Sequence, residues 1–484
     1  MAAPIGFPKS LSNEGDYALP QSVLSYNIKV VPSNTSSVVA PGQTLTASST
    51  LNLNGTSQNI IFDVPAGGSK SQFIDPRFST MSFRATYAIS SGSSSAIISN
   101  CQLRSNAMSF FDRTYTQSNG VILDDLNSLG VIADLLVQTG IDVGSRDCLS
   151  SMYGFQYEGA AANSLNANQG HKIAGIDGAT LSAATSSYYS YTVPLINSLI
   201  GQGASKMFNI GGVSQLQVVM QTSAILPLTI VTSTATTAAV LTVTIDNISL
   251  NLQVVDVGME GLRMLNKSGP QYYNGVTYRA STATIPSGTA GAISLLSGIR
   301  ASSVNSLFAR FCEASTLSTT GCINYIQDSK APLATSMAWN VNGQLLPSNP
   351  TDIVHNPSLC FYQTQQAAGN FATNEFKSGL VPSQYFVYLP VGAGTSLPSD
   401  ADKVFTAAGN ASSATAQSQF VWGYNFQKVS TQSVLDGMNL SSGNTFLNMV
   451  WAASNNVSVT AFFIAKMDVI YILDPVSGQI SVRL

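Results

Sequence analysis

The chain has 484 residues, of which 9% are charged and 44% hydrophobic, with a formal net charge of −3. That length calls for roughly two to four domains rather than one core, and the apolar content excludes a disordered chain, which is apolar-poor and highly charged. No run of Lys or Arg occurs, which excludes a basic arm that neutralises nucleic-acid phosphates.

Residues 1 to 20 read as an extended arm carrying Pro4, Pro8 and Pro20. Leu24, Tyr26, Ile28 and Val30 alternate with polar residues as a first strand stopped by Pro32, and a loop follows from Ser33 to Gly42. Leu45 to Leu53 alternates again, Asn54-Gly55 turns the chain, and Ile60 to Val64 is another strand. A Pro65-Ala66-Gly67-Gly68 turn precedes the proline-punctuated Phe73 to Arg77. Then Met81, Phe83, Ala85, Tyr87 and Ile89 alternate with Ser82, Arg84 and Thr86. A period of two marks a strand with one buried face, and strand, stiff turn and strand together read as one edge of a sandwich.

Ile122, Leu126, Leu129, Ile132, Ala133 and Leu136 recur at helical steps, which predicts a helix with Asp124 and Asp125 in its first turn and Gly140 at its end. Residues 141–187 read as a long polar loop. Strands are expected at Tyr189 to Leu195 and Leu216 to Gln221, and as one long closing strand from Leu241 to Val254. Leu226 to Ile245 is uncharged and long enough for a membrane span, but Pro227 and its β-branched alternation read as strand.

The pattern breaks over Gly258 to Pro270 and restarts with a strand at Gly275 to Ala280, followed by a Ser/Gly/Ala loop. Ala301 to Phe311 reads as a short helix. Later strands are expected at Tyr385 to Leu389, Phe420 to Phe426, Val457 to Phe463 and Met467 to Leu473, with a low-complexity loop over Gly392 to Gln417. The fold class is therefore all-β: two similar antiparallel sandwiches, divided near 256–270, with short inserted helices and long polar loops.

The chemistry-bearing residues each have a plainer structural reading. The two histidines, His171 and His355, are isolated, and an Asp352–His355 centre lacks a nucleophile elbow. Asp124 and Asp125 are helix neighbours that do not face each other, so first-turn charge is the better account than acid–base work. Gly67 to Ser71 lacks the spacing of a phosphate loop. The row Phe420, Trp422, Tyr424 and Phe426 fits a core better than a carbohydrate platform. Five cysteines (Cys101, Cys148, Cys312, Cys322, Cys360) are odd in number and without CxxC, which points to a reducing compartment. Cys312 and Cys322 could close a loop, though buried thiols are favoured. The first residues show no secretory signal, and sequons such as Asn34-Thr35-Ser36, Asn247-Ile248-Ser249 and Asn456-Val457-Ser458 are expected by chance in such a chain. No catalytic, cofactor or metal site is expected.

Certain pieces, in order, carry a resemblance: the strand ending at Pro32 with PGQ at 41–43, FDVPAGGSKSQFIDPRFSTMSFRATYAI, NGVILDDLNSLGVIADLL, YYSYTVPLINSLIG, LQVVMQ, RASSVNSLFARF, WNVNGQLLPSNP, LDGMNLSSGNTFLNMVW and MDVIYILDP. Together they resemble the double jelly-roll major capsid proteins of the adenovirus, polinton-like and virophage lineage, with polinton-like or adintovirus-like capsids nearest. The resemblance implies an arm over 1–20, a first jelly roll over 21–257 and a second over 258–484. It also implies a homotrimeric, pseudo-hexagonal capsomer tiling an icosahedral shell, found in the virion. Neighbouring capsomers, a penton and minor or cement proteins would be its partners, and parts of 141–187, 268–294 and 392–417 would form outward loops. The alternatives are a β-sandwich adhesin or carbohydrate-binding protein, which needs an export signal, and a sandwich hydrolase, which needs paired carboxylates on strands.

Overall fold

The computed structural model describes residues 23–35, 37–45, 51–53, 57–66, 71–90, 97–103, 106–142, 145, 149, 152–154, 186–223, 228–234, 239–259, 270–313, 334–353, 356–370, 380, 420–427, 437–451, 458–474 and 476–483. The first half contains β1 (Leu24–Val30), β2 (Ser37–Leu45), β3 (Leu51–Leu53), β4 (Asn59–Val64), β5 (Gln72–Ser90), β6 (Ile97–Leu103), β7 (Phe111–Ser118) and β8 (Val121–Asn127). Helix α1 (Leu129–Gly140) follows, then β9 (Ser186–Pro194), β10 (Phe208–Asn209), β11 (Leu216–Thr222), β12 (Leu228–Thr234) and β13 (Ala239–Asp256). The second half contains β14 (Gln271–Ile285), β15 (Gly291–Leu296), β16 (Val304–Glu313), β17 (Ala334–Val341), β18 (Gln344–Asp352), α2 (Pro357–Ala368), β19 (Trp422–Asn425), β20 (Thr445–Trp451), β21 (Val459–Asp474) and β22 (Gln479–Arg483).

The pairings reveal one topology used twice. In the second half one sheet runs β14-β21-β16-β19 and the other β15-β20-β17-β18. In the first half β13 lies between β5 and the β1/β2 pair, β9 and β10 share the far side of β5, and the facing sheet runs β4-β11-β7-β8. Counting β1/β2 and β9/β10 as single positions, each half has the order 1-8-3-6 over 2-7-4-5, which is a jelly roll. A ribbon of β6 and β12 is added to the first. The two helices occupy the same place in each half, between the fifth and sixth strands.

Side-chain alternation explains the sandwiches. Along β5, Met81, Phe83, Ala85 and Tyr87 are buried while Ser82, Arg84 and Thr86 are half-buried. Phe83 meets the edges of Phe110 and Phe111 at 5.9 and 5.3 Å, and Arg84 pairs with Asp246 directly across on β13. The register shifts between Asn251 and Gln253 opposite the stretch around Pro76, an irregularity that absorbs a residue without a ladder donor. Strand β5 is thus continuous through its proline and lies inside its sheet, not at a sandwich edge.

Other expectations are corrected. Asp124 and Asp125 lie on β8, not in a first helical turn; Ser128 turns the chain at φ 54° and the helix begins at Leu129. Ala301 to Phe311 is not helical: Val304–Glu313 is β16, central in its sheet and buried from Val304 through Cys312. Burial on both faces erases the two-residue period, so the spacing of Val304, Leu307, Phe308 and Phe311 mimics a helix. The expected loop at Ser33 to Gly42 is largely β2, and the expected loop after Ala280 holds the end of β14 and all of β15. Leu45 ends β2 and Leu51–Leu53 is β3. The two last expected strands are one, β21. Among the described residues no helix is long and apolar enough to cross a membrane; within the candidate span, Leu228–Thr234 is β12 and Ala239 opens β13. The arm at 1–20, Asn54-Gly55, Tyr385 to Leu389, Gly392 to Gln417 and most of 141–187 lie outside the described residues.

Candidate functional site at the seam between the two rolls

The two rolls share one continuous cluster of buried side chains, and the backbone joins them directly. Val276 on β14 donates its N–H to the Gly203 carbonyl at 2.7 Å, Ser205 donates to Asn274 at 3.1 Å, and Ala204 bridges Gly275. Glycine is required for this approach: a Cβ on Gly275 would stand 2.2 Å from the Ser198 carbonyl oxygen, and one on Gly203 would stand 2.2 Å from that of Val276.

Around this contact sit several of the buried charged residues of a chain that has few. Asp124 accepts from the Ser198 N–H and Oγ at 2.8 and 2.6 Å, and from Thr277 Oγ1 of the second roll at 2.6 Å. The Tyr471 hydroxyl lies 2.5 Å from Ser198 Oγ. Burial raises the Asp124 carboxyl above its ordinary 3.8, against the lowering by its hydrogen bonds to Ser198 and Thr277. The Tyr471 phenol is raised by the same burial and by the nearby Asp124 charge. Deeper in, Asp134 of α1 forms an ion pair with Arg310 of β16, their side chains 3% and 1% exposed. Among the described residues the Arg310 Nε and Nη2 find no hydrogen-bond partner. Asn370, just past α2, donates to the Thr139 carbonyl near the end of α1 at 3.0 Å, so the two equivalent helices meet across the seam.

Among the described residues, those singled out from sequence do not come together in a reactive centre. Asp125 points away from its neighbour Asp124, as successive strand residues do, and holds Arg113 through two bonds of 2.7 Å. His171, His355 and Gly67 to Lys70 lie outside the described residues; Asp352 ends β18, and Ser71 is a buried turn residue before β5. Trp422 stacks on Trp339 at 5.8 Å and 10° and donates from its indole to Gln363 at 3.0 Å. That aromatic row, with Phe420 buried beside it, packs the second core. Cys312 and Cys360 are buried thiols outside any disulfide, and Cys148 and Cys322 lie outside the described residues. Asn34 holds β4 by donating to Asn59 and accepting from Ile61. No group of three or more potential metal ligands occurs among the described residues.

Sequence reasoning missed Ser198, Thr277, Tyr471, Asp134, Arg310 and Asn370. The one available signal was charge in a segment otherwise apolar: Asp134 interrupts a helix face, and Arg310 sits inside an aromatic strand.

No family model matches this sequence, and no curated protein matches it. Solved structures do. The chain is similar to the Sputnik virophage structure solved by cryo-EM (11% identity, 100% of this chain and 93% of that one, TM-score 0.53). It is also similar to the quasi-atomic model of the PBCV-1 virus capsid (8%, 97% and 99%, TM-score 0.52) and to the mavirus major capsid protein (12%, 100% and 95%, TM-score 0.51). The fold is therefore the double jelly roll of viral major capsid proteins. The likeness spans nearly the whole of both chains in each pair.

Proposed function

We propose that this chain is the structural, non-enzymatic major capsid protein of an icosahedral virus, with the arm at 1–20 and rolls over 21–257 and 258–484 as its functional divisions. The observation that carries the reading is the repeated jelly-roll topology held by a buried seam, supported by full-length similarity to capsid structures. A rigid pair of sandwiches standing side by side is a third of a hexagonal tile, so a closed three-fold ring of chains completes one without a further fold. The low surface charge fits a protein whose faces pack against copies of itself, in the capsomer and between capsomers. A penton and minor or cement proteins would fill the five-fold positions and gaps. The order of the sequence pieces, together with the virophage likeness, supports a place near the polinton-like or adintovirus-like capsids. Negative-stain imaging of the purified protein tests the reading: pseudo-hexagonal particles, or closed shells built from them, are expected, and isolated two-lobed particles under all assembly conditions would overturn it.

A further inference from the structure

A cavity of about 550 Å³ opens at the seam beneath α1, within the ~300–1,000 Å³ range of small-ligand sites. Its wall is mostly apolar, built by Met108, Leu126, Ala133, Val137, Ile196 and Val276 from both rolls. Three of its polar residues are already committed: Asn106 accepts from the Met108 N–H, Asn197 donates to Thr116 while accepting from Leu199 and Ile200, and Tyr153 has an interaction partner of its own. Gln202 is exposed.

That leaves Tyr278 and Lys466. They are direct cross-strand partners on β14 and β21, so their side chains stand together on one face. Neither the phenol nor the ammonium has a hydrogen-bond or ion-pair partner among the described residues. Both remain half-buried because the cavity reaches them. Asp468, which also acts on Lys466, has its carboxylate taken by Ser303 and Asn305 at 3.1 and 2.7 Å. Protein surrounds both groups closely: burial pushes the Tyr278 phenol up to about 12 and pulls the Lys466 ammonium down. A desolvated cation beside a free hydroxyl donor, at the wall of an apolar chamber, lacks one thing, an anion attached to a chain of methylenes.

We propose that this cavity binds a single-chain amphiphile with an anionic head, a fatty-acid carboxylate, whose head is held by Lys466 and Tyr278 and whose tail lies against the apolar wall shared by the two rolls. Such a ligand bridges both rolls and stabilises them in their docked arrangement, because it binds the native seam and not the unfolded chain. The inference stands on the folded chain and does not depend on shell assembly.

The test is calorimetric titration of the full-length protein with dodecanoate and with dodecanol, repeated on Lys466→Met and Tyr278→Phe. Both variants keep the stem or ring that packs the wall, and a thermal melt without ligand verifies their fold. A charge-assisted hydrogen bond is worth ~1.5–3 kcal/mol, so dodecanoate binds the parent roughly tenfold or more tighter than dodecanol does. Lys466→Met abolishes that preference and Tyr278→Phe reduces it. Equal affinity of acid and alcohol for the parent, an unchanged acid preference in a folded Lys466→Met, or no binding of either probe would overturn the proposal. A wall variant, Ala133→Phe, gives an independent reading: it blocks the tail and weakens both probes together, and unchanged binding to it contradicts the placement.

Discussion

Asp134 and Arg310 form a buried ion pair inside the seam. Truncating one partner strands the other as a buried, unpaired charge, which costs about 3–5 kcal/mol, whereas replacing both by apolar residues of similar size is often neutral. Asp134→Ala is therefore expected to lose about that much stability in urea denaturation, and Asp134→Leu with Arg310→Met to recover most of it. Asp124 gives a second, pH-dependent expectation. Its folded pKa is raised above the ordinary 3.8, so between that value and the folded one the native state holds a proton that the unfolded chain has released. Stability from this group is full below 3.8 and declines as pH rises through the folded pKa. Melting curves across the acid range should show that decline in the parent and a flatter profile in Asp124→Asn. Neither role was legible from sequence. Asp124-Asp125 read as first-turn charges because the apolar spacing of α1 extends backwards through Ile122 and Leu126 into β8, and only Ser128 marks the true boundary.

Among the elements, the half-buried strands declared themselves by alternation, as β5, β11 and β13 do. The strand β16 did not, since its neighbours cover both faces, and α2 was missed for the opposite reason. Its inward residues include Gln363, Thr364 and Gln365, all buried and satisfied by polar partners, as where Gln363 accepts from Thr351 and Trp422 and Thr364 accepts from the Gly423 N–H. No apolar stripe exists to be seen. Its ends were readable: Asn356 caps Leu359, Pro357 opens the helix and Gly369 closes it at φ 94°. The seam itself depends on two glycines whose purpose only three-dimensional contact reveals. Gly275→Ala is expected to lower thermal stability by about 1–3 kcal/mol or more, because the added methyl must push the Ser198 carbonyl away. An unchanged melt would mean the two backbones do not approach as closely as 2.2 Å from that Cβ requires.

For the whole molecule, the repeat of one topology in two halves was visible as two strand-rich stretches separated by a break. The way they dock was not, since contacts between β8, β14 and β21 join residues hundreds of positions apart. A core continuous across the seam predicts cooperative unfolding: calorimetry should record one transition, and two well-separated transitions would show the rolls to be independent. What this pair of rolls builds decides its function. Light-scattering mass of the purified protein over a wide range of concentration and salt tests it most directly. A species of three times 50.8 kDa that persists on dilution is the expected result. A single species of 50.8 kDa under every condition would contradict the capsomer reading.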